Sequence, residues 1–101
     1  MGWHSTSASD LIERLRQRVV DGPGELDSGV RAAAFRGDAV PEAAAVYADK
    51  VRRHAYKVSD GDVEALLAAG WTEDAIFELT VATALGAALS RLDRAHRAMG
   101  A

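Results

Sequence analysis

Apolar residues recur at intervals of three and four along most of the chain, which is the spacing of one face of an α-helix. Leu11, Ile12, Leu15 and Val19 follow this spacing and predict a first helix over about residues 10–20. The Gly-Pro-Gly sequence of residues 22–24 ends it, because proline lacks a backbone donor and glycine permits turn geometry. The chain therefore opens on a helix and a tight turn.

The middle of the chain predicts two further helices. Asp27 or Ser28 can cap a short helix that extends to Phe35 and stops at the Gly-Asp pair of residues 37–38. Pro41 suits the first turn of a third helix, which we expect to run to about Lys57. Its apolar stripe is formed by Ala44, Tyr47, Ala48, Val51 and Ala55.

The last part of the chain predicts a short helix and a long one. Ser59 and Asp62 have the spacing of a capping box, and Gly70 is a good left-handed stop. Thr72 can cap a final helix over residues 73–98, about 40 Å long. Its first half carries large apolar residues separated by small ones that would let another helix approach closely, so we interpret that half as core. The second half is amphipathic and is interpreted as surface or subunit interface.

No stretch alternates with period two for long enough to form a strand, so we predict an all-α fold, a small bundle of about five helices. The 101 residues are enough for one domain, over 9–101, after a disordered lead over 1–8. Only 6% of the residues are aromatic, so the core must come from close helix packing. A thin core of this kind favours completion by oligomerisation.

Charge and composition narrow the classes of function. The net charge of −3 argues against nucleic acid as a partner. Two basic runs, residues 14–18 and 50–57, are interpreted as solvated helix faces, with a nucleic-acid or phosphate site as the less favoured alternative. The absence of cysteine excludes disulfides, thiolate metal sites and thiol catalysis. With no signal peptide and no stretch judged long enough to cross a membrane, we expect a cytoplasmic protein.

The densest group of chemically useful side chains is His54, Tyr56, Lys57 and Asp62. Together they could form an acid/base cluster that binds a carboxylated substrate. The alternative, which we favour, is structural: His54 and Tyr56 pack at a helix end, Lys57 meets the helix C-terminus, and Asp62 completes the Ser59 cap. The histidines lack ligand spacing, so we expect neither a metal nor a cofactor.

Residues 54–89, from His-Ala-Tyr-Lys to Gly-Ala-Ala-Leu, resemble the carboxymuconolactone decarboxylase and alkylhydroperoxidase D-like superfamily. The resemblance rests on Ala69-Gly70, Trp71 and the run Thr72-Glu73-Asp74-Ala75-Ile76 before a long helix of small residues, and it covers roughly residues 40–95. It implies an all-α fold that assembles as homo-oligomers, trimers or hexamers, with the small-residue helix buried in the assembly.

The resemblance also indicates which chemistry is missing. The two cysteines of the peroxidase branch would fall on Ala55 and Val58 and its histidine on Asp62, while Glu42 lies within a residue of the acidic proton-relay position. A dithiol mechanism is therefore impossible in this chain. The decarboxylase branch needs no cysteine, but it too places a histidine where Asp62 stands.

Two hypotheses follow. The first is a cysteine-free relative that works as a homo-oligomeric binding or scaffold protein, without peroxidase activity and with a small-molecule ligand as an option. The second is a thiol-independent decarboxylase or isomerase that acts on a small carboxylated substrate through His54, Tyr56 or Lys57 with Asp62. A pocket that encloses these groups would favour the enzyme, and an open surface would favour the binding protein.

Overall fold

The structure, a computed structural model, describes residues 8–100 and contains five α-helices and no strand within that range. The helices are α1 (Ala8–Asp21), α2 (Ser28–Arg36), α3 (Glu42–His54), α4 (Asp60–Ala68) and α5 (Glu73–Ala98), with a 3₁₀ turn at Ala55–Lys57 between α3 and α4. The predicted all-α bundle of five helices is confirmed. The predicted disordered lead lies outside the described residues, except for Ala8, at which α1 begins.

Local hydrogen bonds set most of the helix ends where the sequence predicts them. The Asp27 carboxylate accepts from the backbone N–H groups of Gly29 and Val30, and the Thr72 hydroxyl accepts from that of Ala75. Gly37 and Gly70 have φ values of 79° and 97°, the left-handed geometry that ends α2 and α4. Each of these caps satisfies backbone groups that a helix end would otherwise leave unpaired.

The end of α3 differs from the prediction. The α-helix stops at His54, where φ is −144° and ψ is 55°, rather than continuing to Lys57. The Val58 N–H then donates to the Ala55 carbonyl, and Val58 is already extended. The chain has to turn here because Ser59 is already the N-cap of α4, and α3 is therefore one turn shorter than predicted.

Helix α5 lies at the centre of the bundle, and its most extensive contact is with α2. Residues of all helices except α1 form one apolar core, which contains Ala34, Ala44, Tyr47, Val51, Leu66, Ile76, Leu79 and Ala82. At Gly86 the two helices touch backbone to backbone, since a Cβ added there would overlap the Phe35 carbonyl. The small residues of α5 therefore do admit another helix, and it is α2 of the same chain.

The two halves of α5 differ in exposure. Seven residues between Ala75 and Ala87 are buried, whereas every residue from 91 to 100 is exposed. Phe77 is an exception to the predicted core, because 69% of it is exposed. The last turns of the helix therefore contribute little to the core of the bundle.

The expectation that no stretch approaches membrane-spanning length is wrong for α5. Its best window has a mean hydropathy of 1.4 and few charged residues, so it could cross a membrane by length and composition alone. A core helix of a folded bundle passes the same test, and 39% of that window is buried inside the bundle. Leucines interspersed with alanine and valine raise its hydropathy.

Candidate functional site

The predicted acid/base cluster lies at the junction between α3 and α4, and most of its side chains are exposed to solvent. His54, Tyr56 and Lys57 are all exposed, Tyr56 by 81%. The rings of His54 and Tyr56 meet edge to face with centroids 6.0 Å apart, and Lys57 Nζ is 5.9 Å from the Tyr56 ring centre. These are contacts between neighbours in sequence on a surface turn.

Asp62 does not contact His54, Tyr56 or Lys57 through a hydrogen bond, but is paired with Lys50. Its carboxylate accepts hydrogen bonds from Lys50 Nζ at 2.8 and 3.0 Å and from the Ser59 backbone N–H at 2.9 Å. The Lys50 bond, followed by the Ser59 bond, holds the pKa of Asp62 below its usual value. Asp62 thus ties α4 to α3 and caps α4, and an acid with a lowered pKa is a poor proton donor near neutral pH.

Glu42 stands apart from the other four candidates. It is exposed in the first turn of α3, at the opposite end of that helix from His54. Twelve residues of α-helix separate the two positions by about 18 Å along the axis. The structure therefore does not bring Glu42 and His54 into one site.

A cleft with a different set of side chains opens between the C-terminal parts of α3 and α5. It has a volume of about 220 Å³ and is lined by Arg52, Arg53, Ala87, Ser90, Arg91 and Arg94. Arg91 Nη2 donates to the backbone carbonyl of Arg52 at 2.6 Å, which satisfies one of the last carbonyls of α3. Four arginine residues thus line one small opening.

Sequence reasoning missed this arginine cleft. Arg52 and Arg53 belong to a basic run that was interpreted as a solvated face, and Arg91 and Arg94 were assigned to the amphipathic end of the last helix. The positions 52 and 94 lie on different helices, so only the packing of α3 against α5 brings them together. Within each helix the sequence shows only arginines near the C-terminus. Cations are ordinarily favoured there by the helix dipole, so they do not by themselves indicate a binding site.

A second polar cluster, which sequence reasoning also missed, connects the turn between α1 and α2 to the bundle through hydrogen bonds. Arg31 is only 5% exposed, and it donates from Nε to the Leu26 carbonyl at 3.0 Å and from Nη1 to the Val19 carbonyl at 3.2 Å. Glu78 accepts from the backbone N–H groups of Glu25 and Leu26 at 3.0 and 2.7 Å. Both side chains form hydrogen bonds with backbone groups, so this cluster stabilises the fold.

An apolar groove of about 360 Å³ lies where α3, α4 and α5 meet. Its lining is Tyr47, Val63, Leu67, Glu73, Ile76, Phe77 and Thr80. Leu67 is 40% exposed and Phe77 69% exposed, so part of the lining projects into solvent. The Tyr47 hydroxyl is hydrogen bonded to the Thr80 hydroxyl at 2.7 Å, which leaves the interior of the groove largely apolar.

Across residues 8–100, no three histidine or acidic side chains lie close enough to hold a metal ion together.

Comparison with known proteins finds no matching family model, no matching curated protein and no matching solved structure.

Proposed function

We propose that this chain is a homo-oligomeric binding or scaffold protein, a cysteine-free relative of the carboxymuconolactone decarboxylase and alkylhydroperoxidase D-like proteins that it resembles. The observation that carries the proposal is Phe77, a large apolar side chain that is 69% exposed at the edge of an apolar groove. Full burial of a phenylalanine stabilises a protein by about 1.5–3 kcal/mol, which this residue gains only from a partner.

The occupant of the groove is a second copy of the chain. Phe77 lines the groove and also projects from it into solvent. The same surface therefore carries a protruding apolar side chain, the knob, and an apolar depression, the hole. Two copies related by a two-fold axis can exchange knobs, and a head-to-tail arrangement closes a ring such as a trimer. A hexamer combines both kinds of contact. Glu73 is the one charged residue in the lining and supplies a polar edge.

The exposure of the acid/base candidates supports a binding protein over a thiol-independent enzyme. His54, Tyr56 and Lys57 face solvent, and Asp62 is bonded to Lys50 and Ser59. An enzyme that moves protons on a carboxylated substrate needs such groups around an enclosed, partly dry cavity. The absence of cysteine removes the dithiol peroxide reaction altogether.

The test is the solution mass at low micromolar concentration, measured by size-exclusion chromatography with light scattering. We expect a stable species of three or six times the 10.7 kDa of one chain. Phe77→Ser should lower that mass and raise the dissociation constant at least tenfold, since it removes the apolar knob. The matched control is Leu92→Ser, which alters another exposed apolar residue of α5, 56% exposed and outside the groove.

A wild-type monomer would overturn the proposal. If Leu92→Ser dissociated the oligomer and Phe77→Ser did not, the groove would not be the contact. Phe77 is mostly exposed, so its replacement should leave the monomer folded, and circular dichroism checks this directly.

A further inference from the structure

We propose that the arginine cleft between α3 and α5 binds the phosphoryl group of a small phosphorylated molecule. This site is independent of the proposed self-association: Arg94 lies 17 residues beyond Phe77 on α5, about 25 Å along the helix axis.

The cleft carries a surplus of positive charge in a chain whose net charge is −3. Of its four arginines, Arg53 is paired with a carboxylate, donating from Nε to Asp49 at 2.8 Å. Other acidic residues nearby in sequence are already paired with arginines outside the cleft: Asp38 with Arg36, and Asp93 with Arg97. Within residues 8–100 the side chain of Arg94 has no hydrogen bond or ion pair.

Arg52 differs from the other three in having a buried donor without a partner among residues 8–100. Its guanidinium packs against the Gly37 turn at the end of α2, where a Cβ on that glycine would come within 2.6 to 2.8 Å of three of its atoms. Its Nη1 is buried and has no hydrogen-bond partner among the described residues. A buried donor without a partner is costly, so this side chain is held in place by packing while its hydrogen-bonding capacity stays unused.

A small opening lined by four arginines suits a phosphoryl group best. Each planar fork can donate two parallel hydrogen bonds to two oxygens of one anion, and a phosphoryl group offers three terminal oxygens. Its charge of nearly −2 balances more of the surplus than a single carboxylate would. The volume of 220 Å³ equals that of roughly seven water molecules, enough for a phosphoryl group and a small remainder.

A nucleic-acid backbone fits these observations less well. Binding a polymer requires a basic track with room for successive phosphates, and this chain is acidic as a whole. The cleft is a single opening at one end of the bundle. A small phosphorylated molecule places its one phosphoryl group there and leaves the remainder of the molecule in solvent.

The test uses pyrophosphate as the probe on the full chain, with binding followed by titration calorimetry and by backbone amide NMR shifts. We expect saturable one-site binding, with the largest shifts at Ser90, Arg91 and Arg94. Arg94→Gln should weaken binding about tenfold, because it removes one charge-assisted hydrogen bond. Arg97→Gln is the matched control: it removes an equal charge from the same helix outside the cleft, and should change binding less than twofold.

Three further outcomes decide against the proposal. Equal weakening by Arg94→Gln and Arg97→Gln would mean that the anion senses only general charge. Equal affinity for succinate and pyrophosphate would mean that the site does not select phosphoryl groups. Tighter binding of a short single-stranded oligonucleotide than of pyrophosphate, abolished by Arg94→Gln, would mean that the cleft serves a nucleic-acid backbone instead.

Discussion

The two halves of α5 differ in what their polar side chains do. In the first half, Glu78 accepts two backbone hydrogen bonds, and the hydroxyls of Thr80 and Thr83 donate to carbonyls one turn earlier at 2.6 and 2.7 Å. In the second half, Arg91 has one hydrogen bond, to the Arg52 carbonyl, and Arg94 has none within the part of the chain that is described. Folding accounts for these polar groups of the first half and for the Arg91 bond, but it leaves Arg94 without a structural role.

This difference separates stability from binding along one helix. Substitutions in the first half should change the free energy of unfolding, because they disturb close packing or buried hydrogen bonds. Substitutions at the cleft should change binding and leave folding nearly intact.

The largest effect is expected at Gly86. Gly86→Ala places a methyl group onto the Phe35 carbonyl, a backbone atom that cannot move without separating α2 from α5. We expect the free energy of unfolding to fall by about 3 kcal/mol, at the upper end of the cost of overpacking, as measured by urea denaturation followed by circular dichroism.

Gly61→Ala is the control for that substitution. Gly61 is also helical, and the nearest atom to its added Cβ is the Ser59 hydroxyl at 3.7 Å, an ordinary contact. We expect this variant to be as stable as the wild type or more stable by up to about 1 kcal/mol, because alanine favours helix over glycine. If both variants had equal stability, the close approach of α2 to α5 would be refuted.

A smaller, pH-dependent effect is expected at Glu78. Partial burial, the largest single influence, raises the pKa of its carboxyl group, but the Glu25 and Leu26 N–H groups and the positive charge of Arg31 together outweigh it, so the pKa is lowered. A lowered pKa contributes stability above the unfolded value of 4.5, and that contribution is lost as the pH falls through the folded value.

Glu78→Gln should therefore cost about 2 kcal/mol at pH 7, since it weakens two charge-assisted hydrogen bonds. Its difference from the wild type should shrink as the pH falls below about 4.5. The measurement is urea denaturation between pH 7 and pH 3. Glu64→Gln, at an exposed position of α4, is the control and should change the free energy of unfolding at pH 7 by less than about 0.5 kcal/mol. A constant difference at all pH values would show that the charge of Glu78 is unimportant.

Local sequence signals account for the elements of this fold. Asp27, Gly37, Gly70 and Thr72 act within a few residues of themselves, and each ends or begins a helix where its chemistry predicts. The end of α3 was missed because it depends on where α4 must begin. Phe77 was assigned to the core because periodicity counts apolar positions on a helix and does not reveal which of them another helix covers.

Side-chain clusters were harder to predict than helices. His54, Tyr56 and Lys57 were grouped because they are close in sequence, but the 3₁₀ turn exposes all three. The two clusters that the fold does assemble join residues far apart in sequence: Glu78 with the turn at residues 25–26, and Arg52 with Arg91. A single sequence does not show which of these distant residues meet, because that depends on how the helices pack.

The smallest effect on stability is expected at Arg94. Arg94→Gln removes no hydrogen bond or ion pair with residues 8–100 and relieves repulsion among the arginines of the cleft. Its free energy of unfolding should lie within about 0.5 kcal/mol of the wild type. It should be slightly higher at low salt, and the difference should vanish at 1 M salt, where the screening length is about 3 Å. Thermal unfolding at two salt concentrations measures this. If Arg94→Gln cost more than about 1 kcal/mol, Arg94 would be a structural residue like Arg31, and the contrast between the halves of α5 would fail.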